Sequence, residues 1–472
     1  MVFSSYTFLF AFLPLALLVY YLTPARGRSL VLTLQSYVFY GWWNPWFTIL
    51  MLASTALDYG CGLGITREGA SPSRRKGAML VSVVANLALL GFFKYATFFA
   101  SSATGLIGVM GFPGVSAPDF LTHVVLPVGI SFYTFQSMSY SIDLYRGHAA
   151  PAKNFVDFAC YVSLFPQLVA GPIVRYASVA EQLHTREHTV PDFVAGLTRF
   201  HYGFAKKILL ANPMGVVADT CFEAGQGSLA AGFAWLGAAA YAFQIYFDFS
   251  AYSDMALGLG RLFGFTFPEN FRSPYHSRSF TEFWQRWHLS LSGFLRDYLY
   301  IPLGGNRLGP VRTYVNLLTV MLLGGLWHGA QWTFVIWGAL HGTLLVIERA
   351  WKQRGWAGPP PWIALPLTFA ILLITWVFFR SPSLAVSLDY LATMFGTSTP
   401  SGGAEVLGAV LWQPTTGLLF LVASVVVWLM PRTDQWLERM TFGKAILGLV
   451  LLLVSVRAMA LQGYNPFLYF QF

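Results

Sequence analysis

The chain has 472 residues, of which 56% are hydrophobic and only 10% are charged. Soluble proteins carry about 25% charged residues, because charged side chains are needed to cover a surface that faces water. The composition therefore excludes a soluble multidomain enzyme, a disordered protein and a secreted disulfide scaffold. It indicates that lipid is the solvent for most of the chain.

The net charge of +9 is best explained by loops on the inner side of a membrane. Basic residues occur in ones to threes, with no stripe of Lys and Arg that could follow a phosphate backbone, so we expect no nucleic-acid partner. The three cysteines, Cys61, Cys160 and Cys221, are too few for a disulfide framework and show no C-x-x-C spacing. We expect them to be buried apolar residues, and no metal site is predicted.

Uncharged apolar runs locate the membrane-embedded segments, since one span needs about 20 apolar residues. A tryptophan cluster at 42–46 interrupts the second run and predicts an interfacial turn. The longest run, 313–347, would be about 50 Å long as one helix, so we expect it to break near 324–329. The runs are 1–25, 29–57, 77–93, 95–118, 120–142, 158–174, 224–247, 313–347, 355–379, 406–431 and 445–456. They predict an all-α polytopic membrane protein with 11 to 13 embedded helices, some of them short or re-entrant.

Basic residues between the runs orient the chain in the membrane. Arg67 and the residues 74–76 are opposed only by Glu68, which is typical of a cytoplasmic loop. Counting spans back from this loop predicts an N-terminus on the outer side. No basic region precedes the apolar stretch at 1–25, so we expect this stretch to be retained and not to be a cleaved signal peptide.

Residues 269–312 differ from the rest of the chain. They hold six arginines, and apolar residues over 280–298 recur at i, i+3 and i+4, which predicts an amphipathic helix. Ser279, followed three residues later by Glu282, predicts a capping box at the start of this helix. The pattern fits a helix on the membrane surface or a helix that dips into a polar cavity. His288 lies at the border of the apolar face and does not decide between the two.

An ionisable residue inside an apolar run is a functional candidate, because a charge in lipid is costly. His328 lies near the centre of the run 313–347, between Gly325 and Gly329, at a spacing that permits close helix approach. Its imidazole either bonds to a neighbouring helix or acts as a general base, a role suited to an unperturbed pKa of about 6.5. His341 is thirteen residues further on and cannot share one face of a continuous helix with His328.

A second polar concentration follows the uncharged run 224–247. Asp248, Tyr252 and Asp254 lie there among aromatic and hydroxyl side chains, which predicts the wall of a polar cavity. Metal ligation is less favoured, because no His lies within ligand spacing. Three further embedded candidates, each of which could instead cap a helix or extend to the interface, are Lys94, Asp143 and Arg175.

Eight segments carry a recognisable family pattern. They are VFSSYTFLFAFLPL at 2–15, SYVFYGWWNP at 36–45, LPVGISFYTFQSMSYSIDLYRG at 126–147, LFPQLVAGPIVR at 164–175, YFDFSAYSDMALGLG at 246–260, ENFRSPY at 269–275, FTEFWQRWHLSLSGFLRDYLYIPLGGNR at 280–307 and GGLWHGA at 324–330. In this order they resemble the membrane-bound O-acyltransferase (MBOAT) family, most closely its bacterial polysaccharide O-acetylation branch. The resemblance covers most of residues 1–350 and is weaker over 350–472, apart from the ending at 465–472.

The resemblance implies one integral membrane domain over 1–472, in which a ring of helices encloses a central tunnel. It implies two functional histidines near the waist of this tunnel: His328 of the L-W-H-G motif as the catalytic residue, and His288 of the R-W-H motif. It also implies that 269–312 packs into the cytoplasmic side of the core and that 350–472 forms C-terminal helices. The residues expected to support the tunnel are Asp248, Tyr252, Asp254, Trp284, Asp297, Asn306 and Trp327.

The implied reaction is acetyl transfer from a cytoplasmic donor, acetyl-CoA, to an exported polysaccharide of the alginate or cellulose type. The implied location is the bacterial inner membrane, with a periplasmic N-terminus and no bound cofactor. We expect His328 to activate the accepting hydroxyl or to relay the acetyl group. His288 and Asp297 would organise the donor side, and donor phosphates would be bound by Arg286 or Arg296.

Motifs that the sequence lacks narrow the pathway. It contains no P-loop, no H-E-x-x-H zinc motif and no G-x-S-x-G nucleophile elbow, so we do not expect covalent serine chemistry on this chain. The resemblance implies instead that a periplasmic SGNH-type partner modifies the polymer, within a polysaccharide synthase and export complex. The alternatives are a transporter or flippase, a D-alanyl transfer protein of cell-envelope polymers, and a non-catalytic scaffold. Transporters often contain related halves, and we find no internal repeat.

Overall fold

A computed structural model describes residues 1–112, 116–122, 124–169, 171–224, 228–397, 403–466 and 468. Over these residues the regular structure is helical and contains no β-strand, which confirms the predicted all-α class. The chain divides into two compact units, one of residues 1–197 with 256–268 and one of residues 198–255 with 269–472.

The first unit is built from helices of very different length. They are α1 (Leu13–Leu22), α2 (Arg28–Gly41), α3 (Pro45–Thr66), α4 (Pro72–Leu90), α5 (Ala96–Val109), α6 (Asp119–Thr122), α7 (Ile130–Arg146), α8 (Phe155–Ser163), α9 (Phe165–Leu168) and α10 (Tyr176–Val179). Single π-helical turns precede α1 at Phe8–Phe12 and join α4 to α5 at Gly91–Tyr95. The boundary between the units falls within α11 (Val190–Ala205) and α13 (Ala231–Leu262).

The second unit carries both predicted catalytic histidines. Its further helices are α12 (Asn212–Phe222), α14 (Phe280–Trp284), α15 (Leu289–Leu295), α16 (Pro310–His328), α17 (Trp332–Gln353), α18 (Pro361–Arg380), α19 (Leu384–Met394), α20 (Gly403–Leu411), α21 (Pro414–Trp428), α22 (Thr433–Leu437) and α23 (Phe442–Leu461). Single π-helical turns follow α11 at Lys206–Ala211 and α15 at Arg296–Tyr300.

Within the described residues, four helical segments are long and apolar enough to cross a membrane. They are Pro45–Thr66, Pro72–Val109, Pro361–Arg380 and Phe442–Leu461. Shorter apolar helices lie at Phe8–Leu22, Leu384–Met394 and Pro414–Trp428. These helices confirm a polytopic membrane protein, while the total of 11 to 13 embedded helices stays a prediction.

The long uncharged run 313–347 breaks where the sequence predicts. α16 ends at His328 and α17 begins at Trp332, so the two helices pack against each other as a hairpin. A Cβ added at Gly325 would clash with the carbonyl oxygen of Phe334. The predicted role of Gly325 in close helix approach is therefore confirmed.

The uncharged run 158–174 forms short helices instead of one continuous helix. α8 ends at Ser163, and α9 covers only Phe165–Leu168. The fully buried side chain of Gln167 donates from Nε2 to the carbonyl oxygen of Tyr161 at 2.8 Å. The Gln167 side chain thus supplies a hydrogen bond to a backbone carbonyl group near the end of α8. Counting apolar residues along the sequence does not detect such a bond.

Segment 269–312 packs into the second unit, but the continuous amphipathic helix predicted over 280–298 is wrong. α14 ends at Trp284 and α15 begins at Leu289. The break falls at His288, whose backbone is left-handed, with φ 45° and ψ 56°. Phe280 and Phe283 in α14 and Leu291 and Phe294 in α15 are buried. Their spacing in the sequence resembles that of a single helix, although the backbone of His288 between the two helices is left-handed.

Only one of the two hydrogen bonds expected of the predicted capping box forms at the start of α14. The hydroxyl oxygen of Ser279 accepts a hydrogen bond from the backbone N–H of Glu282 at 3.1 Å, as a capping residue should. The carboxylate of Glu282 accepts instead from the backbone N–H of Arg278 at 2.8 Å. α14 therefore begins where the sequence predicts, with one of the two expected side-chain bonds moved by one residue.

Candidate active site

The two histidines predicted from separate motifs are neighbours in the second unit. The ring centroids of His288 and His328 lie 6.4 Å apart, and the two rings are nearly perpendicular. His288 is fully buried and His328 is 4% exposed. The indole of Trp327 contacts both rings, with centroid distances of 5.8 Å to His288 and 5.1 Å to His328. The fold therefore brings three of the predicted site residues together.

Aromatic rings surround the histidine pair. Phe249 lies 4.6 Å from His288, while Trp337 and Phe379 lie 5.4 Å and 5.1 Å from His328, all between ring centroids. We call these three residues together with Trp327 the aromatic enclosure. All four are buried, so water is largely excluded from the histidines. In such surroundings a hydrogen bond to a reacting atom is stronger than it would be in water.

The backbone determines which nitrogen of His288 carries the proton in the neutral ring. His288 is the N-cap of α15, and its Nδ1 accepts a hydrogen bond from the backbone N–H of Leu291 at 3.1 Å. A ring nitrogen that accepts has no proton, so neutral His288 carries its proton on Nε2. Within the described part of the chain, Nε2 has no protein partner. His288 is therefore built to donate a hydrogen bond and not to accept a proton.

Asn270 holds the left-handed turn at His288. Its backbone carbonyl accepts from the N–H of Leu289 at 2.9 Å, and its Oδ1 accepts from the N–H and the hydroxyl of Ser290 at 3.2 Å and 3.0 Å. Its Nδ2 donates to the hydroxyl of Ser253 on α13 at 3.2 Å. A non-glycine residue in the left-handed region costs about 1–2 kcal/mol, and these bonds offset that cost. Asn270 belongs to one of the segments that carry the resemblance, but nothing in the sequence pattern indicated this role.

Asp254 lies in a buried ion network. Its carboxylate contacts Arg199 at 2.8 Å and Lys206 at 2.7 Å, and Arg199 also contacts Glu269 at 2.6 Å. Asp254 was predicted from the sequence, whereas its two cations were not; they lie in α11 and in the π-helical turn that follows. Because removing one member of a buried pair leaves an uncompensated charge, this network supports α13 and the start of segment 269–312.

Asp248 has a cation of its own. Its carboxylate contacts Lys207 at 2.6 Å and accepts a hydrogen bond from the backbone N–H of Leu468 at 3.0 Å. Tyr252 lies one helical turn further along α13 and is buried. The predicted carboxylates are thus inside the second unit, but each is neutralised by basic residues that the sequence pattern did not pair with it.

Trp284 belongs to a cluster of edge-to-face aromatic rings that extends from the site to a third histidine. Its ring lies 5.8 Å from Trp337 and 5.5 Å from His341. His341 is fully buried and hydrogen-bonds through Nε2 to the hydroxyl of Thr375 at 3.2 Å. Trp337 contacts both His341 and His328, at 4.6 Å and 5.4 Å. The helix breaks after His328 and α17 packs back against α16, so His341 lies near His328 in space. The expectation that the two histidines cannot share one helical face applied only to a continuous helix.

The two arginines predicted to bind donor phosphates already have carboxylate partners. Arg286 contacts Glu282 at 2.7 Å, and Arg296 contacts Asp297 at 2.6 Å. Burial opposes ionisation of Glu282, but a backbone N–H and the Arg286 guanidinium outweigh it and hold the pKa of this carboxyl below its ordinary value. The Arg296 side chain is 66% exposed, so its ion pair is open to exchange.

Asn306 is the predicted tunnel residue that is most accessible. It lies exposed in the turn between the π-helical turn at Arg296–Tyr300 and α16, whereas His288 and His328 are buried. The neighbouring turn is anchored by Asn316, whose Nδ2 donates to the carbonyl oxygens of Leu303 and Gly305. The fold therefore places Asn306 at the surface of the second unit.

Known proteins resemble this chain over most of its length. Residues 148–385, which include both histidines of the pair, match the model of the MBOAT family, described as the membrane-bound O-acyltransferase family. A protein of Azotobacter vinelandii, "Probable alginate O-acetylase AlgI", is 44% identical over the full length of both chains.

Two further relatives cover most of the chain. A Pseudomonas aeruginosa protein with the same description is 48% identical over 84% of this chain and 76% of its own length. A Helicobacter pylori protein, "Peptidoglycan O-acetyltransferase", is 36% identical over 84% of this chain and 80% of its own length. Matches of this extent, together with the family model, show that the chain belongs to the membrane-bound O-acyltransferase family and is an acyltransferase.

Proposed function

We propose that the protein is a bacterial membrane O-acetyltransferase that passes acetyl groups from cytoplasmic acetyl-CoA to an exported polysaccharide of the alginate or cellulose type. The observation that carries this proposal is the buried pair of His288 and His328 inside the aromatic enclosure. The relatives named as alginate O-acetylase and peptidoglycan O-acetyltransferase support acetyl as the group and a polysaccharide as the final acceptor.

His328 is the general base in this proposal. Its neutral imidazole takes the proton of the accepting hydroxyl while the hydroxyl oxygen attacks the acetyl carbonyl. The new C–O bond forms as the C–S bond of the thioester breaks, and the imidazolium returns the proton to the leaving sulfur. The aromatic enclosure favours the neutral starting form, because burial disfavours a charged imidazole.

His288 is the electrophilic partner. Its proton resides on Nε2, since Nδ1 accepts from the backbone of α15. A fixed N–H donor in a water-poor enclosure stabilises the oxygen of the acetyl carbonyl as negative charge develops on it. The hydrogen bond to Nδ1 of His288 is the reason for assigning the donor role to this histidine in the proposal.

The donor side lies along the accessible part of segment 269–312. We propose that Arg296 or Arg286 binds phosphates of the donor by exchanging a carboxylate partner, and that Asp297 controls this exchange. The support is the 66% exposure of the Arg296 side chain and its ion pair with Asp297, the next residue in the chain. Asp248, Tyr252, Asp254, Trp284, Trp327 and Asn306 support the tunnel in this proposal.

The protein resides in the bacterial inner membrane in this proposal, with its N-terminus in the periplasm. The support is the group of basic residues at 67 and 74–76, which lies between α3 and the first turn of α4. Basic loops of this kind remain on the cytoplasmic side. The acetyl group then reaches the polymer through a periplasmic SGNH-type partner, next to the polysaccharide synthase and export machinery.

Reconstitution tests the proposed function directly. The purified protein in proteoliposomes, supplied with labelled acetyl-CoA, is expected to transfer label into polymer only when an SGNH-type partner is also present. The matched control is His328→Ala in the same vesicles with the same partner, which should leave the polymer unlabelled. Substrate flux without acyl transfer would contradict the proposal and favour a transporter. Strong labelling of polymer by the protein alone would contradict the partner requirement.

Asn270 provides a test of how His288 is positioned. Asn270→Ala removes both side-chain bonds to Ser290, and we expect kcat to fall roughly 10- to 100-fold, since small misplacements of a reacting group have effects of this size. KM for acetyl-CoA should change little, because Asn270 is buried and its side chain bonds to Ser253 and Ser290, not to the arginines proposed to bind the donor. Asn270→Asp keeps the accepting oxygen and should recover most of the rate, as measured by acetyl transfer and thermal unfolding in detergent.

The control for this variant is Ser253→Ala, which removes only the acceptor of the Asn270 Nδ2 group. It should lose less activity than Asn270→Ala. A normal rate for Asn270→Ala, or an equal loss in the alanine and aspartate variants with unchanged thermal unfolding, would refute the positioning role.

A further inference from the structure

The first unit contains a buried carboxyl group that the proposed reaction does not use. Asp58 lies in α3, which is apolar and long enough to cross a membrane, and its side chain has no exposed surface. Its hydrogen-bond partners are Ser82 and Asn86 on α4. No lysine, arginine or histidine of the described chain forms an ion pair with it, in contrast to Asp248 and Asp254.

Hydroxyl and amide groups surround this carboxyl group. The Nδ2 of Asn86 lies 2.9 Å from both carboxyl oxygens of Asp58. The hydroxyl oxygen of Ser82 lies 2.6 Å from Oδ1 of Asp58 and 2.8 Å from the hydroxyl oxygen of Ser141 on α7. Ser54 donates to Oδ1 of Asn86 at 3.3 Å, which directs the amide NH₂ group towards the acid. A chain of hydrogen bonds therefore connects α3, α4 and α7.

A full negative charge is unfavourable at this position. The neutral donors of Ser82 and Asn86 replace only part of the hydration of a carboxylate, and lipid offers no compensation. A carboxylate without a cation therefore carries a desolvation cost here. Binding of a monovalent cation to Asp58 removes that charge. The remaining question is whether the surrounding atoms fit a proton or a sodium ion.

The geometry favours the proton. A sodium ion needs several oxygen ligands, but Asn86 places an N–H donor against both oxygens of Asp58. A proton needs one acceptor, and the Ser82 oxygen at 2.6 Å is at a distance typical of an O–H···O bond. The single hydroxyl hydrogen of Ser82 is then available to Ser141.

We propose that Asp58 is a proton-binding site within the membrane helices of the first unit. At neutral pH its side chain is a carboxylic acid that donates to Ser82, and Ser82 donates to Ser141. This site is independent of the histidine pair and of the proposed acetyl transfer.

Infrared spectroscopy of the full-length protein in proteoliposomes tests the site. With ¹³C-carboxyl aspartate, the wild-type protein at pH 7 should show a neutral-acid carbonyl band that disappears in Asp58→Asn. The band should be the same in potassium and in sodium buffer. The matched control, Asp192→Asn at an exposed aspartate, should leave the band unchanged.

Two spectroscopic outcomes would overturn the assignment. A carboxylate signal from Asp58 in both buffers would show that the acid is ionised. Loss of the neutral-acid band on exchange of potassium for sodium would show that sodium occupies the site instead of the proton. Both readouts remain valid if the protein proves to have no acetyltransferase activity.

Thermal unfolding supplies an independent measurement. Asp58→Asn keeps a neutral group of the same shape that can donate to Ser82, so its Tm should stay close to that of the wild type. Asp58→Ala removes the hydrogen bonds of the acid and should lower the Tm clearly. Equal lowering in the two variants would indicate that the ionised carboxylate is needed and would contradict the proposal.

Discussion

Replacement of His328 by alanine is expected to abolish acetyl transfer to the polymer without lowering the amount of protein in the membrane. The physical reason is that general-base catalysis contributes roughly 10²- to 10⁴-fold to a rate, and no other side chain is proposed to take the proton of the accepting hydroxyl. His328→Gln keeps most of the side-chain volume and should lose activity to the same extent. Acetylation of the polymer and immunodetection of membrane protein, measured in the same cells, check this result.

The matched control is His341→Gln. His341 is also buried and also packs against Trp337, but its Nε2 is already bonded to Thr375. Glutamine can keep that bond, so this variant should retain most of the activity. Near-normal acetylation by His328→Ala would remove His328 from the mechanism, and an equal loss in His341→Gln would point to disrupted packing instead of lost chemistry.

The variant His288→Asn is expected to separate structure from chemistry at the second histidine. Asparagine tolerates left-handed backbone and is a good N-cap, so its Oδ1 can replace Nδ1 as the acceptor for Leu291. The variant lacks the Nε2 donor. We expect normal thermal unfolding and a rate lower by roughly 10²- to 10³-fold, the loss typical of one missing donor to a developing oxyanion.

His288→Ala completes this test, because it removes both the cap and the donor. It should unfold at lower temperature than His288→Asn, since loss of an N-cap costs about 1 kcal/mol. Its activity should be no higher than that of His288→Asn. Full acetyl transfer by His288→Asn would mean that Nε2 does not act on the substrate, and the role of His288 would then be to cap α15.

Much of the fold was accessible from the sequence, because lipid imposes simple rules on composition. The break in the run 313–347 could be predicted, since one helix of that length does not fit a bilayer and glycines mark its middle. The break at His288 could not, because the apolar residues on either side keep helical spacing. What holds that turn is Asn270, whose partners Ser253 and Ser290 lie on separate helices.

The candidate site, like the fold, could be predicted from the sequence only in part. His328 and His288 could be selected from an uncharged run and from motifs. The tautomer of His288 could not be predicted, because it depends on a hydrogen bond from the backbone of Leu291. Asp248 and Asp254 were recognised as embedded acids, yet their partners lie on α11 and the π-helical turn after it. Pairing of charges across helices leaves no periodic trace in a sequence.

By itself, the sequence determined that this is a helical membrane protein, which family it resembles, and which embedded polar residues are candidates for its chemistry. A low count of charges is costly only in water, so composition alone was sufficient for the first point. The tertiary structure decided that His288 and His328 meet inside one aromatic enclosure and that Nδ1 of His288 accepts a hydrogen bond from the backbone. It also decided that Asp248 and Asp254 have cations as partners, whereas Asp58 has none among the described residues, because these properties depend on neighbours that only folding brings together.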